Sequence, residues 1–272
     1  MDMSRHRSGP TSRWAALFGG LLACASVPPP ALAADLPSRT GAPTAPAPLP
    51  GWSFSLNLYG WAAGLEGSVR TLPPLPALKV NIGFDDVLEN LNVAVMGTFE
   101  ARHDRLILFT DLIYSKLSPD KGFTVAGFPG RASIETQSFI GLAAAGYRVI
   151  DGADASLDAF VGLRGFAMSN TITVDTPTGS LAYGKDEQWL DGVVGARVRY
   201  RFAPQWSVVA MGFVGGGASN YQWDLYGGVS YAFSDKVGTF LGYRAMKVDY
   251  EKGRFLYDAL QHGPLLGVQM RF

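Results

Sequence analysis

Cysteine is almost missing from this chain: Cys24 is the single one among 272 residues, so no disulfide can form within it and no cysteine metal site can be built. Histidine is nearly as scarce, with only His6, His103 and His262, which leaves little material for general acid–base chemistry. An excess of charge is missing too. Lys plus Arg and Asp plus Glu both number 23, so there is no large basic field to recruit nucleic acid, and that class is set aside. From Trp52 onwards no run of eighteen apolar residues occurs, which excludes a transmembrane helix. HExxH, CxxC and P-loop spacings are also absent, so neither a metal nor any other cofactor is expected.

What is present is glycine, 33 residues of it, with 12% aromatics and a mean hydropathy of +0.10. This suits a β-rich, membrane-compatible chain better than a helical enzyme. Residues 1–33 have the build of a signal peptide. Arg5, Arg7 and Arg13 form a positive start, "WAALFGGLLACAS" an apolar stretch, and Ala31 and Ala33 the small residues of a cleavage site. "LLAC" leaves lipidation of Cys24 as an alternative to ordinary cleavage. Removal of this segment leaves 23 − 3 = 20 basic and 23 − 1 = 22 acidic residues, and no cysteine. Residues 34–50, rich in Pro and Ala, are expected to be an extended periplasmic linker. Residues 51–272 hold the rest.

That remainder alternates with period two. In "NVAVMGTFEAR", Val93, Val95, Gly97, Phe99 and Ala101 share one face and Ala94, Met96, Thr98, Glu100 and Arg102 the other. "SLDAFVGLRGF" and "WLDGVVGARVRYRF" behave alike. Ten such segments fall at about 52–63, 92–103, 106–117, 132–148, 156–167, 188–202, 206–215, 221–233, 237–250 and 261–272. Short gaps alternate with long ones, the pattern of an all-β, up-and-down antiparallel barrel that crosses a bilayer with tight periplasmic turns and longer outer loops. The first hairpin, closed by Asp104-Arg105, sets Ala101 opposite Leu108 and Thr98 opposite Asp111. Ten strands are expected. Eight would result if 206–215 were misread, and twelve if 77–84 were a strand; "FDDVLENL" could form one or two helical turns in the first outer loop.

The polar faces carry Glu100, Asp111, Glu135, Asp158, Asp191 and Asp224 against Arg102, Arg164, Arg197, Arg199, Arg244 and Arg271. The opposite faces carry almost no charge. Their ends hold rings, among them Trp52, Trp61, Trp189, Trp206, Trp223, Tyr200, Tyr231, Phe233 and Phe272. A charge on the lipid side near mid-bilayer costs ~2–4 kcal/mol, and rings settle at headgroup level. The charged faces are therefore expected to line the lumen. Equal numbers of each sign, with arginine rather than lysine as the cation, favour mutual pairing over an ion-selective field, and a ten-strand barrel is narrow enough for side chains to fill. Glu100, Asp111, Arg164, Arg197 and Arg244 are expected nearest mid-depth.

The closing "HGPLLGVQMRF" alternates in the same way and ends on Phe272, which resembles the C-terminal recognition signal of Gram-negative outer-membrane β-barrel proteins. "LYGWAAGLEGSV", "MGTFEAR", "WLDGVVGARVRYRF", "GGGASNYQWDLYGGVSYAFSD" and "LGYRAMKVDY" are similar to those of a group of proteobacterial outer-membrane proteins, over roughly residues 52–272. The resemblance implies a location in the cell outer membrane, lipid and lipopolysaccharide as surroundings, and delivery through the barrel-assembly machinery by the C-terminal strand. It brings no activity.

Two histidines remain as material for catalysis, His103 and His262. His103-Asp104 superficially resembles the Asp/His pairs of omptin proteases, but the topology sets it at the periplasmic end. A lipid-hydrolysing site needs a serine within reach of His262, and no local motif supplies one; Ser219 or another outer-loop serine would have to approach in space. Asp85-Asp86 is read as a solvated helix start rather than a cation site. The expected protein is a non-catalytic barrel with a structural or surface-exposed role. The alternatives are a narrow passive pore and a lipid- or peptide-hydrolysing barrel.

Overall fold

The structure, a computed structural model, describes residues 51–71, 76–118, 120–125, 128–176 and 179–272, without the side chains of 120–125, 128–132 and 176. The expected signal peptide and linker lie outside the described residues. Thirteen strands and one short helix follow in order: β1 (Trp52–Trp61), β2 (Gly64–Arg70), β3 (Leu78–Ile82), α1 (Phe84–Glu89), β4 (Leu91–His103), β5 (Leu106–Leu117), β6 (Asp120–Val125), β7 (Phe128–Asp151), β8 (Ala155–Thr176), β9 (Gly179–Ala203), β10 (Trp206–Gly217), β11 (Tyr221–Ala232), β12 (Val237–Lys252) and β13 (Phe255–Arg271).

Ten of these strands close a ring. The hydrogen-bonded order is β1-β4-β5-β7-β8-β9-β10-β11-β12-β13, and β13 returns to β1 antiparallel from Ser55↔Arg271 to Trp61↔Leu265. Closure leaves no strand edge along the paired wall, as lipid requires. β2 and β3 stand outside the ring, β2 paired with the outer part of β13, and β6 folds back on β7. The twelve-strand expectation thus had a real strand behind it at 78–82, though not a barrel strand. "FDDVLENL" contains α1, with Asp85 and Asp86 in its first turn.

The first hairpin has the register that alternation predicts, with Ala101↔Leu108 and Thr98↔Asp111. Its tight loop places Asp104 at φ 51, a left-handed conformation that Asp tolerates better than most residues. Where the structure differs is in strand length. The spans 168–187 and 251–260, expected as outer loops, are mostly strand: β8 and β9 continue pairing from Ala155↔Tyr200 to Thr176↔Gly179, and β12 and β13 are joined by a turn at Gly253-Arg254. Only ~9–11 tilted residues are needed to cross hydrocarbon. Beyond that height the outer face also meets water, so the outward apolar series ends while the hydrogen-bond ladder continues.

Side chains sort by parity around the whole wall. Val161, Leu163, Val194, Leu241 and Leu266 project outward with more than half their surface bare, while Asp158, Arg164 and Asp191 face inward at 1% exposure. A continuous apolar exterior of this extent is not a water-facing surface. With charges inside, leucine and valine outside and the last strand paired back to the first, the chain is an outer-membrane β-barrel. Tyr200, Trp206, Tyr231, Phe233 and Phe272 gather outside the short-turn end, where Trp206 meets Tyr231 edge-on at 4.8 Å. Trp61 and Trp189, expected in that outer belt, instead point inward and are buried. Both sit at odd positions with Tyr59 and Asp191, so parity places them inside.

Candidate functional site in the barrel lumen

The lumen is layered. At the long-loop end the extended strands bring Trp189 face to face with Tyr250, 4.1 Å between centroids, and with Phe166 at 4.8 Å, while Phe255 and Tyr257 pack around them. Glu187 caps this cluster. It accepts from the Tyr250 hydroxyl at 2.9 Å and Lys252 Nζ at 3.0 Å, with Lys185 Nζ at 3.3 Å. On β9 the outward apolar series ends at Leu190, below Gln188 and Asp186, so Glu187 stands above the membrane. Burial pushes its carboxyl up, but the donors outweigh that and hold it below the usual glutamate range. The Tyr250 hydroxyl is raised, by burial and then by Glu187.

Beneath lies an ionic layer. Arg244 donates to Asp224 from Nε at 2.9 Å and from Nη2 at 2.8 Å, to Asp111 at 2.6 Å and to the Tyr59 hydroxyl at 2.9 Å. Tyr59 in turn donates to Asp111 at 2.6 Å. Arg164 donates to Asp224 at 2.7 Å and to Gln222 at 3.2 Å, and Gln222 donates to Asp191 at 2.8 Å. Trp61 lies 5.2 Å from the Arg244 guanidinium, in cation–π contact. One network therefore joins β1, β5, β8, β9, β11 and β12 across the lumen.

An apolar layer follows. Phe109, Phe160 and Phe213 meet at 5.8–6.5 Å with Ile107, Leu142 and Val193 around them. Gly146 and Gly195 make room for these rings: a Cβ there would come within 2.5 Å of Phe160 and 2.4 Å of Phe213. A second ionic group lies beneath. Arg197 donates to Asp158 at 2.8 and 3.0 Å and to Glu100 at 2.5 Å, stands over the Phe160 ring, and shares Asp158 with Arg148 at 2.8 Å. Arg102, Arg199 and Arg271 occupy the short-turn half of the lumen, and none has a carboxylate partner among the described residues; Arg271 donates to Gln269.

Of the charges the sequence assigned to the lumen, Glu135 is misplaced. Its parity is opposite to that of Leu142 on β7, so it stands outside, bound to Lys116 at 2.8 Å. Inner and outer faces cannot be told apart by polarity above the membrane, and Glu135 lies there. Arg148, Tyr59 and Gln222 are the residues that sequence reasoning missed. Parity groups Tyr59 with Trp61, and Gln222 with Asp224, so the signal was present for both.

The histidines lie apart from the lumen. His103 is at the short-turn end against Trp52, 3.6 Å from Asp104. His262, on the outer face of β13, bonds through Nδ1 to the Tyr243 hydroxyl at 2.6 Å and through Nε2 to Glu66 at 3.3 Å. Ser219 belongs to the β10–β11 turn, where its backbone N–H is held by Asp191. Among the described residues no group of three His, Cys, Asp or Glu could hold a metal ion.

No family model and no curated protein matches the chain. Solved structures do. The translocator domain of the autotransporter NalP from Neisseria meningitidis is similar over 84% of this chain and 90% of its own, with 13% identity and a TM-score of 0.44. Ail, the attachment invasion locus protein of Yersinia pestis, is similar over 82% of this chain and 100% of its own, at 13% identity and a TM-score of 0.32. The toluene transporter TodX of P. putida is similar over 83% and 90%, at 11% identity and a TM-score of 0.31.

Proposed function

We propose that this protein is a non-catalytic outer-membrane barrel whose lumen is locked by paired charges, so that it serves a structural or surface-exposed role rather than passage of solutes. The observation that carries this is the Arg244–Asp224–Arg164 network with Asp111, which ties strands on opposite sides of the lumen at full burial. A selective pore needs sites that bind weakly enough to release. Charges already satisfied by one another offer no such sites. The aromatic layers above and below this network support the same reading.

The non-catalytic part rests on His262. Its two ring nitrogens are engaged by Tyr243 and Glu66 on the lipid-side face, away from the buried polar groups of the lumen. Recognition by the assembly machinery through Phe272 belongs to the same proposal. Phe272 is tied to the first strand by backbone bonds with Phe54 at 2.9 and 3.2 Å, with its ring exposed.

Single-channel recording of the full chain in planar lipid bilayers tests the proposal. The expected result is no steady, solute-sized current. A stable conductance that changes on substitution of Arg164 or Arg197 would instead establish a passive pore, with its entrance at Arg102, Arg199 and Arg271, which have no carboxylate partner among the described residues.

A further inference from the structure

The wall has a gap. β1 and β4 pair from Trp52↔His103 only as far as Leu58↔Gly97, although β4 continues to Leu91 paired with β5. β1 instead stays with β13 through Trp61, breaks at Ala62 and Ala63, and resumes along the same neighbour as β2. The break is tightly held. Ala62 donates its N–H to Pro264 at 2.9 Å, and a Cβ on Gly263 would lie 1.8 Å from the Ala62 carbonyl. Above Leu58 the two strands therefore follow different neighbours. Tyr114 pairs with Val95 just above the divergence and Tyr243 with Pro264 beside it, and outward rings of this kind settle at headgroup level. An open strand edge in hydrocarbon is not tolerated unless something covers it or a cavity lies behind it.

Both conditions are met here. α1, six residues and about 9 Å long, joins β3 to β4 and so crosses the outer end of the gap. Behind it lies a cavity of about 1060 Å³, just above the ~300–1,000 Å³ usual for small-molecule sites. It reaches Ile113 and Ile140 on the inner face of the wall and also Leu241 and Leu266 on the lipid face. Gly60, Ala62, Ala63 and Ala94 form the passage between, and small side chains leave it open. Tyr59, bonded to Asp111 of the ionic layer, stands between this cavity and the lumen beneath.

The lining also states what it takes. Among the described residues its ionisable groups besides Tyr59 are Asp86 and Glu89, with no Lys, Arg or His. An anionic headgroup would find repulsion and no partner. Single polar contacts are on offer from Ser115 and Ser138, whose hydroxyls bond each other at 2.8 Å and keep a second proton free, and from Thr136, whose oxygen can accept while it donates to Asn170. We infer that the gap between β1 and β4 is a lateral doorway through which an uncharged, elongated hydrophobe with at most one hydroxyl-like end enters this cavity from the outer leaflet. The cavity holds that molecule above the closed lumen.

The test is photolabelling of the full chain in phosphatidylcholine vesicles with hexadecan-1-ol bearing a diazirine near the chain end. Parallel arms use the matching carboxylate and a phosphatidylcholine with the same chain. Ala94→Trp and Gly60→Leu narrow the doorway; a Cβ at Gly60 meets nothing within 4 Å, so the second variant keeps the test alive if the first misfolds. The alcohol should label Ile113 and Ile140 several-fold more than either anion or phospholipid does, and a doorway variant should cut that labelling several-fold without changing it at the outward Leu163. Labelling confined to outward residues overturns the site. Inner labelling untouched by both variants overturns lateral entry, and equal labelling by the carboxylate or the phospholipid overturns the ligand class.

Discussion

A guanidinium removed from water needs its charge and its donors answered together, and Arg244 has both answered by Asp111, Asp224 and Tyr59. Removing one partner of a buried pair typically costs ~3–5 kcal/mol, because the other charge is left behind. Asp224→Ala takes the carboxylate from Arg164 and one of two carboxylates from Arg244, so it is expected to fall in that range in urea unfolding from detergent micelles. A loss under about 1 kcal/mol, the scale of an exposed pair, would show that the network is not what holds these strands. Glu187 gives a pH prediction. Its folded carboxyl lies below the usual range, so its contribution is complete above the unfolded value near ~4.3 and is lost as pH falls through the lower folded value. The melting difference between the native chain and Glu187→Gln should therefore be constant from neutral pH to about 5 and vanish in stronger acid; a difference that grew on acidification would reverse the sign. Which face a charge occupies was legible from alternation within the membrane-spanning stretch, as with Arg164, Arg197 and Arg244, but not above it, where Glu135 lies outside with Lys116. Partner choice was not. Arg244 and Asp111 are 133 residues apart and Arg164 and Asp224 are 60 apart, and only closure of the ring brings them together.

At the scale of the element, strand existence and register could be read because one face must be apolar, and a slip of one residue would turn every charge toward lipid. Strand ends could not. β8 and β9 run on where polar residues on both faces erase the period, and the fate of "KVNIGF" depended on whether β2 found a place beside β13. The least legible feature was the divergence of β1 from β4, since nothing in "MGTFEAR" marks where its neighbour departs. It has a measurable consequence. Amides of β4 that point toward β1 have strand partners below Gly97 and none above. In hydrogen exchange a peptide covering 91–96 should exchange distinctly faster than one covering 98–103, and equal protection would mean that the two strands are joined along their whole length.

For the molecule as a whole, every conclusion depends on the wall having a lipid side and a lumen side. The layered lumen, the buried arginines and the doorway have meaning only if Val161 and Leu163 meet hydrocarbon while Asp158 and Arg164 do not. With Cys24 the single cysteine, a Cys24→Ser chain gives a clean background for single cysteines placed one at a time along 157–164 and spin-labelled in reconstituted vesicles. Collision with lipid-dissolved oxygen should be high at 157, 159, 161 and 163 and low at 158, 160, 162 and 164, a period of two in step with the strand. Loss of the alternation, or its inversion with the even positions open to lipid, would contradict the account.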